Sequence, residues 1–270
     1  MSDYTDIEFV IEDPHAIIRL NRPEKLNAFT HHTLAEIRSA VDTASNDTRV
    51  VGIIITGNGR GFSAGLDSQV LLEVTSRTEP AAATATDSDE LPGIFSYLLK
   101  VPKPVIAAVN GVAAGGGLIL ALMCDLRIAS RDASFVTVFL KRGLISEHGV
   151  SWLLPRLVGT SRALDLLWMS DRIDAETAAN IGLVDRLTEP EQLLDTARDY
   201  VARLSITSAP AAIAETKRLV YRHQGTTYMQ ALREAEVSTN RFVTLPDAAE
   251  GAAALIEKRA PNFKRLGEEK

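Results

Sequence analysis

Cysteine is nearly absent from this 270-residue sequence, in which Cys124 stands alone. A single thiol forms no internal disulfide and supplies no cysteine-based zinc cluster. Its neighbours, Leu118 to Met123, are apolar, so it reads as a small core residue and not as a reactive thiol. An excess of positive charge is lacking too. Lysine and arginine total 29 against 35 aspartates and glutamates, a net charge of −6, so nothing points to nucleic acid or to an anionic membrane surface. No apolar run reaches membrane-spanning length without a charge or a glycine. The opening MSDYTDIEFV is acidic and carries no apolar stretch, so neither a signal nor a transit peptide is expected and the expected location is cytoplasmic. Internal repeats are missing as well. What remains is an ordinary soluble balance, 46% hydrophobic and 24% charged, long enough for one large domain with an appendage.

Residues 104–125 organise the rest. Val105 to Val109 is a continuous apolar run, the pattern of a strand buried on both faces. Asn110-Gly111 interrupts it. Gly115, Gly116 and Gly117 then open a helix, Leu118 to Cys124, too apolar to lie anywhere but inside. Glycines at the mouth of a buried helix leave backbone N–H groups bare, and the helix dipole adds partial positive charge there. Such a place suits an oxygen that gains negative charge during a reaction. The same glycines also permit tight packing of helix on strand, and the residues alone leave both readings standing.

Residues 7–10 and 16–20 read as strands, and Thr30 can cap a helix that carries Leu34, Ile37 and Val41 on one face. Residues 50–56 form another buried strand, consistent with an α/β arrangement. The loop after it holds two familiar patterns. Gly57, Gly59 and Gly61 approach a dinucleotide fingerprint, but Phe62 stands where that motif needs glycine. Gly61-Phe62-Ser63-Ala64-Gly65 matches the nucleophile elbow of serine hydrolases, yet Thr56 to Arg60 separate it from its strand. Residues 75–90 are polar and without periodicity, a surface loop that serves either as a lid or as a tolerated insertion. Residues 91–99 carry helical spacing, and 126–129 and 134–138 read as strands. Glu147 and His148 precede a helix bearing Trp152, Leu153 and Leu157. A carboxylate there either caps the helix or faces a cavity, and position alone favours the cap. From residue 189 onward the pattern is wholly helical, which divides the chain into a core, 1–204, and a helical appendage, 205–270.

Several of these stretches together resemble the crotonase superfamily, the enoyl-CoA hydratase/isomerase family. They are Asn21-Arg22-Pro23 with Asn27-Ala28, Phe62-Ser63-Ala64-Gly65-Leu66-Asp67, Lys103-Pro104-Val105 through Gly111 with Gly115-Gly116-Gly117, Cys124-Asp125, and Leu154-Pro155-Arg156-Leu157-Val158-Gly159. Order and spacing agree over most of residues 1–190. The resemblance implies an α/β fold, a crotonase-like spiral of ββα units, with a C-terminal helical trimerisation region. It also implies a homo-oligomer (a trimer or a dimer of trimers) and an acyl-CoA thioester of fatty acid metabolism as substrate. No metal is implied, and no cofactor, coenzyme A entering as part of the substrate.

Residue roles follow from the same resemblance. The thioester oxygen is to be held by the N–H groups of Leu66 and Gly116, with Gly65 setting the loop geometry and Asp67 bracing it. Ala64, Ser68 and Gln69 match positions that contact the adenine and pantetheine portions of CoA, and Arg22 and Lys25 are the candidates for its phosphates. Family hydratases place two catalytic glutamates where this chain has Ile119 and Phe139, which carry no proton and make the acyl pocket apolar. Glu147 stands where dienoyl-CoA isomerase and dehalogenase branches carry a functional aspartate. It is the implied acid/base residue, with His148 pointing elsewhere. Hydration and double-bond isomerisation both remain open. Two further readings stay open, an acyl-CoA-binding protein of this fold without chemistry and a serine hydrolase using Ser63.

Overall fold

The computed structural model describes residues 4–76 and 91–268. In chain order its elements are β1 (Ile7–Glu12), β2 (His15–Leu20), α1 (His31–Asn46), β3 (Gly52–Gly57), β4 (Gly61–Ser63), α2 (Ser68–Thr75), β5 (Val105–Val109), β6 (Val112–Ala114) and α3 (Gly116–Met123). They continue as β7 (Leu126–Ser130), β8 (Ser134–Val136), α4 (Val150–Val158), α5 (Thr160–Met169), β9 (Ile173–Asp174), α6 (Ala175–Asn180), β10 (Arg186–Thr188), α7 (Leu193–Thr207), α8 (Pro210–His223), α9 (Tyr228–Phe242) and α10 (Pro246–Glu257).

Three times the chain runs strand, strand, helix. The first strand of each unit (β3, β5, β7) enters a six-stranded sheet ordered β1-β2-β3-β5-β7-β10, and the second (β4, β6, β8) enters a four-stranded sheet ordered β4-β6-β8-β9. Pairing is parallel except at the hairpin β1–β2 and at the edge β8–β9. The result is the α/β spiral of ββα units. In the second unit β6 leads through Gly115 directly into α3, whose start lies beside the small sheet, and this places the site.

The central strands are apolar without alternation because both faces of the large sheet are covered. Ile53, Ile55, Val105, Ala107 and Val109 face the main core. Ile54, Ile106, Ala108 and Ile128 face the other way and pack against Leu193, Ala197 and Val201 of α7. Burying each of the valine, leucine and isoleucine side chains stabilises the fold by ~1.5–3 kcal/mol. Every residue of α3 from Gly116 to Met123 is buried, so this helix is fixed at its full length inside the core. At the start of α1 the expected cap is present: Thr30 and Thr33 hydroxyl oxygens each accept from the other residue's backbone N–H.

Residues 91–99 depart from the helix that their apolar spacing predicts. Pro92 lacks an N–H donor, Gly93 adopts φ 107°, and only a 3-10 turn at Ser96–Lys100 forms. The spacing of Phe95 and Leu98 reflects burial, both being fully enclosed, and not α-helix. Of the proposed lid, Thr75 closes α2, and residues 77–90 lie outside the described residues. The division expected after residue 204 falls within α7. The helices beyond are pinned to the core at the end of α3. Lys217 Nζ donates to Asp125 Oδ2 at 2.7 Å and to the Leu98 and Lys103 carbonyls at 3.0 and 3.2 Å. Tyr221 OH donates to Asp125 Oδ1 at 2.9 Å.

Candidate active site

Two loops meet where the spiral brings β4 beside β6. Ala64 to Asp67 connects β4 to α2, and Gly115 connects β6 to α3. Gly116 is the first residue of α3, so its N–H has no intrahelical acceptor. Leu66 forms a parallel bridge with Phe29, and its own N–H has no hydrogen-bond acceptor among the described residues. The two donors are close. A Cβ on Gly116 would lie 3.2 Å from Gly65 Cα and 3.4 Å from Leu66 N, and a Cβ on Gly65 would lie 2.8 Å from Gly116 N. The neighbouring Gly117 serves the other purpose read from the sequence. A Cβ there would stand 2.2 Å from the Ser63 carbonyl oxygen, so that glycine permits close packing while Gly116 leaves a donor free.

The loop is braced from behind. Asn27 Nδ2 donates to the Asn58 and Gly61 carbonyls at 2.9 and 2.8 Å, and its Oδ1 accepts from Arg22 N at 2.9 Å. Ser63 Oγ donates to the Asn27 carbonyl at 2.8 Å and accepts from Gly65 N at 3.1 Å. Ser63 is fully buried and both roles of its hydroxyl are taken, which corrects the serine-nucleophile alternative. Asp67 caps α2 by accepting from Gln69 N at 3.1 Å. That backbone N–H, with the nearby Arg22 guanidinium, holds its carboxyl below the usual carboxylate range. Ser68 and Gln69 open α2. Arg22 turns inward and donates to the Ala28 carbonyl and to Asp67, whereas Lys25 ends an exposed 3-10 turn. The guanidinium thus has protein partners where a CoA phosphate was expected.

Ile119 lies one turn into α3 and Phe139 precedes a short 3-10 turn; both are buried in the main core. Glu147 belongs to the irregular segment leading into α4. Its side chain is 29% exposed and its carboxylate lies 3.5 Å from His148 Nε2. The helix-cap reading is not met. Gly149 is the N-cap residue and no side chain caps α4, although the Glu147 carbonyl accepts from Val150 N at 3.1 Å. His148 adopts φ 51° and packs on the turn at Gly93. Burial holds its imidazole below the usual value, against the pull of Glu147. Burial also pushes the Cys124 thiol up to about 12, which leaves it inert as a nucleophile.

Among the described residues, no group of three or more His, Cys, Asp or Glu side chains is placed to hold a metal ion. A cavity of about 1100 Å³ lies between the core and the C-terminal helices, bordered by Leu91, Leu99, Met123, Trp152, Tyr221 and Phe242. Neither donor residue nor Glu147 lines it.

Residues 12–266 match the family described as enoyl-CoA hydratase/isomerase. The chain belongs to that family. Among curated relatives, a probable enoyl-CoA hydratase, EchA12 of Mycobacterium tuberculosis, is 39% identical over 263 residues, covering 94% of this chain and 92% of its own. A 1,2-epoxyphenylacetyl-CoA isomerase of Escherichia coli is 34% identical over 261 residues, covering 95% and 98%. The solved structure of an enoyl-CoA hydratase/isomerase from Mycobacterium paratuberculosis superposes with a TM-score of 0.87 at 30% identity, covering 97% of this chain and 99% of that one. The protein is therefore an enzyme of the hydratase/isomerase type, built on the crotonase fold.

Sequence reasoning named Leu66 and Gly116 but gave no role to the residues that hold their loop, Asn27 and Phe29. The one signal for them was the Asn21-Arg22-Pro23…Asn27 motif, whose residues are consecutive in space with the loop they brace.

Proposed function

We propose that this enzyme acts on an enoyl-CoA thioester through an enolate, with Leu66 N–H and Gly116 N–H as the oxyanion donors and Glu147 as the acid/base group. The observation that carries the reading is the convergence of two acceptor-free amides at the mouth of a buried helix. Fixed donors of this kind stabilise charge as it develops, without reorganising during the reaction. Glu147 takes a proton from carbon, the electron pair moves into the thioester to give the enolate, and the proton returns at a different carbon as the C=O re-forms. One carboxylate suffices for that shift. Ile119 and Phe139, standing where two glutamates are expected of a hydratase, favour isomerisation over water addition. Hydration, the activity printed for other relatives, is the second reading and requires Glu147 to orient water alone.

In this reading the enzyme needs no metal and no cofactor beyond the CoA of its substrate. Residues 1–204 carry binding and catalysis, and residues 205–270 carry assembly into trimers. Exposed apolar side chains on the C-terminal helices, Val220, Tyr228, Leu232 and Val237, give that assembly a surface to bury. The test is a panel of 2-enoyl-, 3-enoyl- and dienoyl-CoA substrates followed by absorbance and mass. Isomerisation shifts the spectrum with no mass change, and hydration adds one water; inertness toward the whole panel would sink the catalytic reading in favour of acyl-CoA binding alone.

A further inference from the structure

Leu66 owes the direction of its N–H to the segment it pairs with. In a parallel bridge one residue bonds to the two neighbours of its partner, so the partner's own N–H and C=O point the other way. Here Phe29 N donates to the Gly65 carbonyl at 2.7 Å, and Asp67 N donates to the Phe29 carbonyl at 2.9 Å. Both neighbours of Leu66 are thereby engaged, and its own N–H is turned to the opposite side, where Gly116 lies. The aim of this donor depends on how residues 28–29 are held against residues 65–67.

Arg22 holds both segments. Its Nη1 donates to the Ala28 carbonyl, and Nη1 and Nη2 each lie 3.4 Å from Asp67 Oδ2. Behind it, Nε lies 3.8 Å from Asp6 Oδ2, which also accepts from the Thr30 hydroxyl at 3.2 Å and from the Thr33 hydroxyl at the start of α1. The Arg22 and Asp67 side chains are 19% and 14% exposed. Two carboxylates flank one guanidinium, so little positive charge is left for an incoming phosphate. The planar fork of arginine reaches two acceptors on different segments at once, which a lysine ammonium on a flexible stem does not reproduce.

We propose that Arg22 is a positioning residue for the first oxyanion donor, clamping the Ala28–Phe29 and Leu66–Asp67 segments so that Leu66 N–H stays aimed at the thioester oxygen. This rests on the enolate reading above. It assigns Arg22 to the rate of the chemical step and not to affinity for coenzyme A.

The test compares wild type, Arg22→Gln, Arg22→Lys and Asp67→Asn in heavy water, following exchange at the α-carbon of a 3-enoyl thioester. Two carriers are used, CoA and pantetheine, the second lacking the nucleotide phosphates. Misplacing a catalytic group by about 1 Å costs on the order of 100-fold. Arg22→Gln is therefore expected to lower kcat by ~10–100-fold on both carriers, with KM changed by less than about threefold. Asp67→Asn should show the same split, and Arg22→Lys should fall between wild type and Arg22→Gln. The Arg22→Gln, Asp67→Asn double variant should be no slower than the worse single variant, since the two act as one unit. Near-normal kcat in Arg22→Gln would overturn the inference. So would a KM increase with the CoA ester that vanishes with the pantetheine ester, which would return Arg22 to the phosphates. If Arg22→Gln does not fold, Arg22→Lys and Asp67→Asn decide by the same criteria. A wild-type enzyme that exchanges neither thioester would overturn the enolate reading and this inference together.

Discussion

Around Leu66 and Gly116 the chain is held from every side, whereas around Glu147 it is held at few points. The donor half is backbone. Hydrogen bonds from Asn27 and Arg22 and one from Gly65 N–H to the Ser63 hydroxyl fix the loop, and an added Cβ at Gly65, Gly116 or Gly117 would meet main-chain atoms at 2.7, 3.2 or 2.2 Å. The carboxylate half is a side chain on a segment without helix or strand, between a 3-10 turn and α4, where His148 takes a left-handed conformation and Ile145 is 80% exposed. The contrast matches the work that the proposed mechanism gives each half. A hydrogen-bond donor for a developing oxyanion is effective only if it is already in place. A proton carrier that must serve two carbons needs reach, and its chemical identity matters more than its rigidity.

That contrast predicts opposite patterns of activity and stability. The largest effect is expected at Glu147. Glu147→Gln keeps the shape and removes proton transfer, so kcat should fall by ~10²–10⁴-fold. Because Glu147 caps no helix, Tm should stay within about 1 °C of wild type, against the ~2–4 °C that losing an N-cap worth ~1 kcal/mol costs in a domain of 150–250 residues. A fall in Tm without a fall in kcat would reverse the assignment. At Gly116 both quantities should move. Gly116→Val places a side chain between the two donors, and losing one such donor costs ~2.7–4 kcal/mol of transition-state stabilisation, or ~10²–10³ in kcat. Normal turnover by this variant would remove Gly116 from the oxyanion hole.

A third, smaller effect lies outside both halves and tests whether assembly and chemistry separate. Arg218, with help from Ser238 and Arg241, holds the Glu215 carboxyl down to about 2, from an ordinary 4.5. A folded value below the unfolded one means that the unfolded state takes up the proton first. The stability due to Glu215 is thus present above pH 4.5 and is lost as pH falls toward about 2. Hydrogen-exchange protection factors of α9, which Glu215 joins to α8 through Ser238, should fall in that window before those of β5, and simultaneous loss would contradict the separation. The smallest effect is expected at Leu66. Only its N–H is used, so Leu66→Ala should leave kcat within about threefold, measured on the same substrate as Gly116→Val.

The central strands were legible because burial on both faces imposes a composition, and the start of α1 was legible because capping is local. The close approach of the Ala64–Asp67 loop to the start of α3 was legible through the glycines on both sides. Residues 91–99 were misread because apolar spacing reports burial and does not by itself distinguish an α-helix from a folded loop held by Pro92 and Gly93. The partners of Arg22 were hidden for a related reason. An arginine in a polar loop looks solvated until the loop 45 residues later brings Asp67 to it.

By itself, then, the amino-acid sequence determined which segments are buried, where α1 begins, and that glycines stand where a backbone must come close; these depend on residue type and local geometry. Only the tertiary structure decided that the backbones of Leu66 and Gly116 come together with neither N–H spent on another residue, that Ser63 is spent on bracing, and that Glu147 is no cap. Each of those is a relation between segments far apart in the chain, fixed by the pairing of Phe29 with Leu66 and of β4 with β6. Such pairing depends on packing of the whole spiral, and no local pattern encodes it.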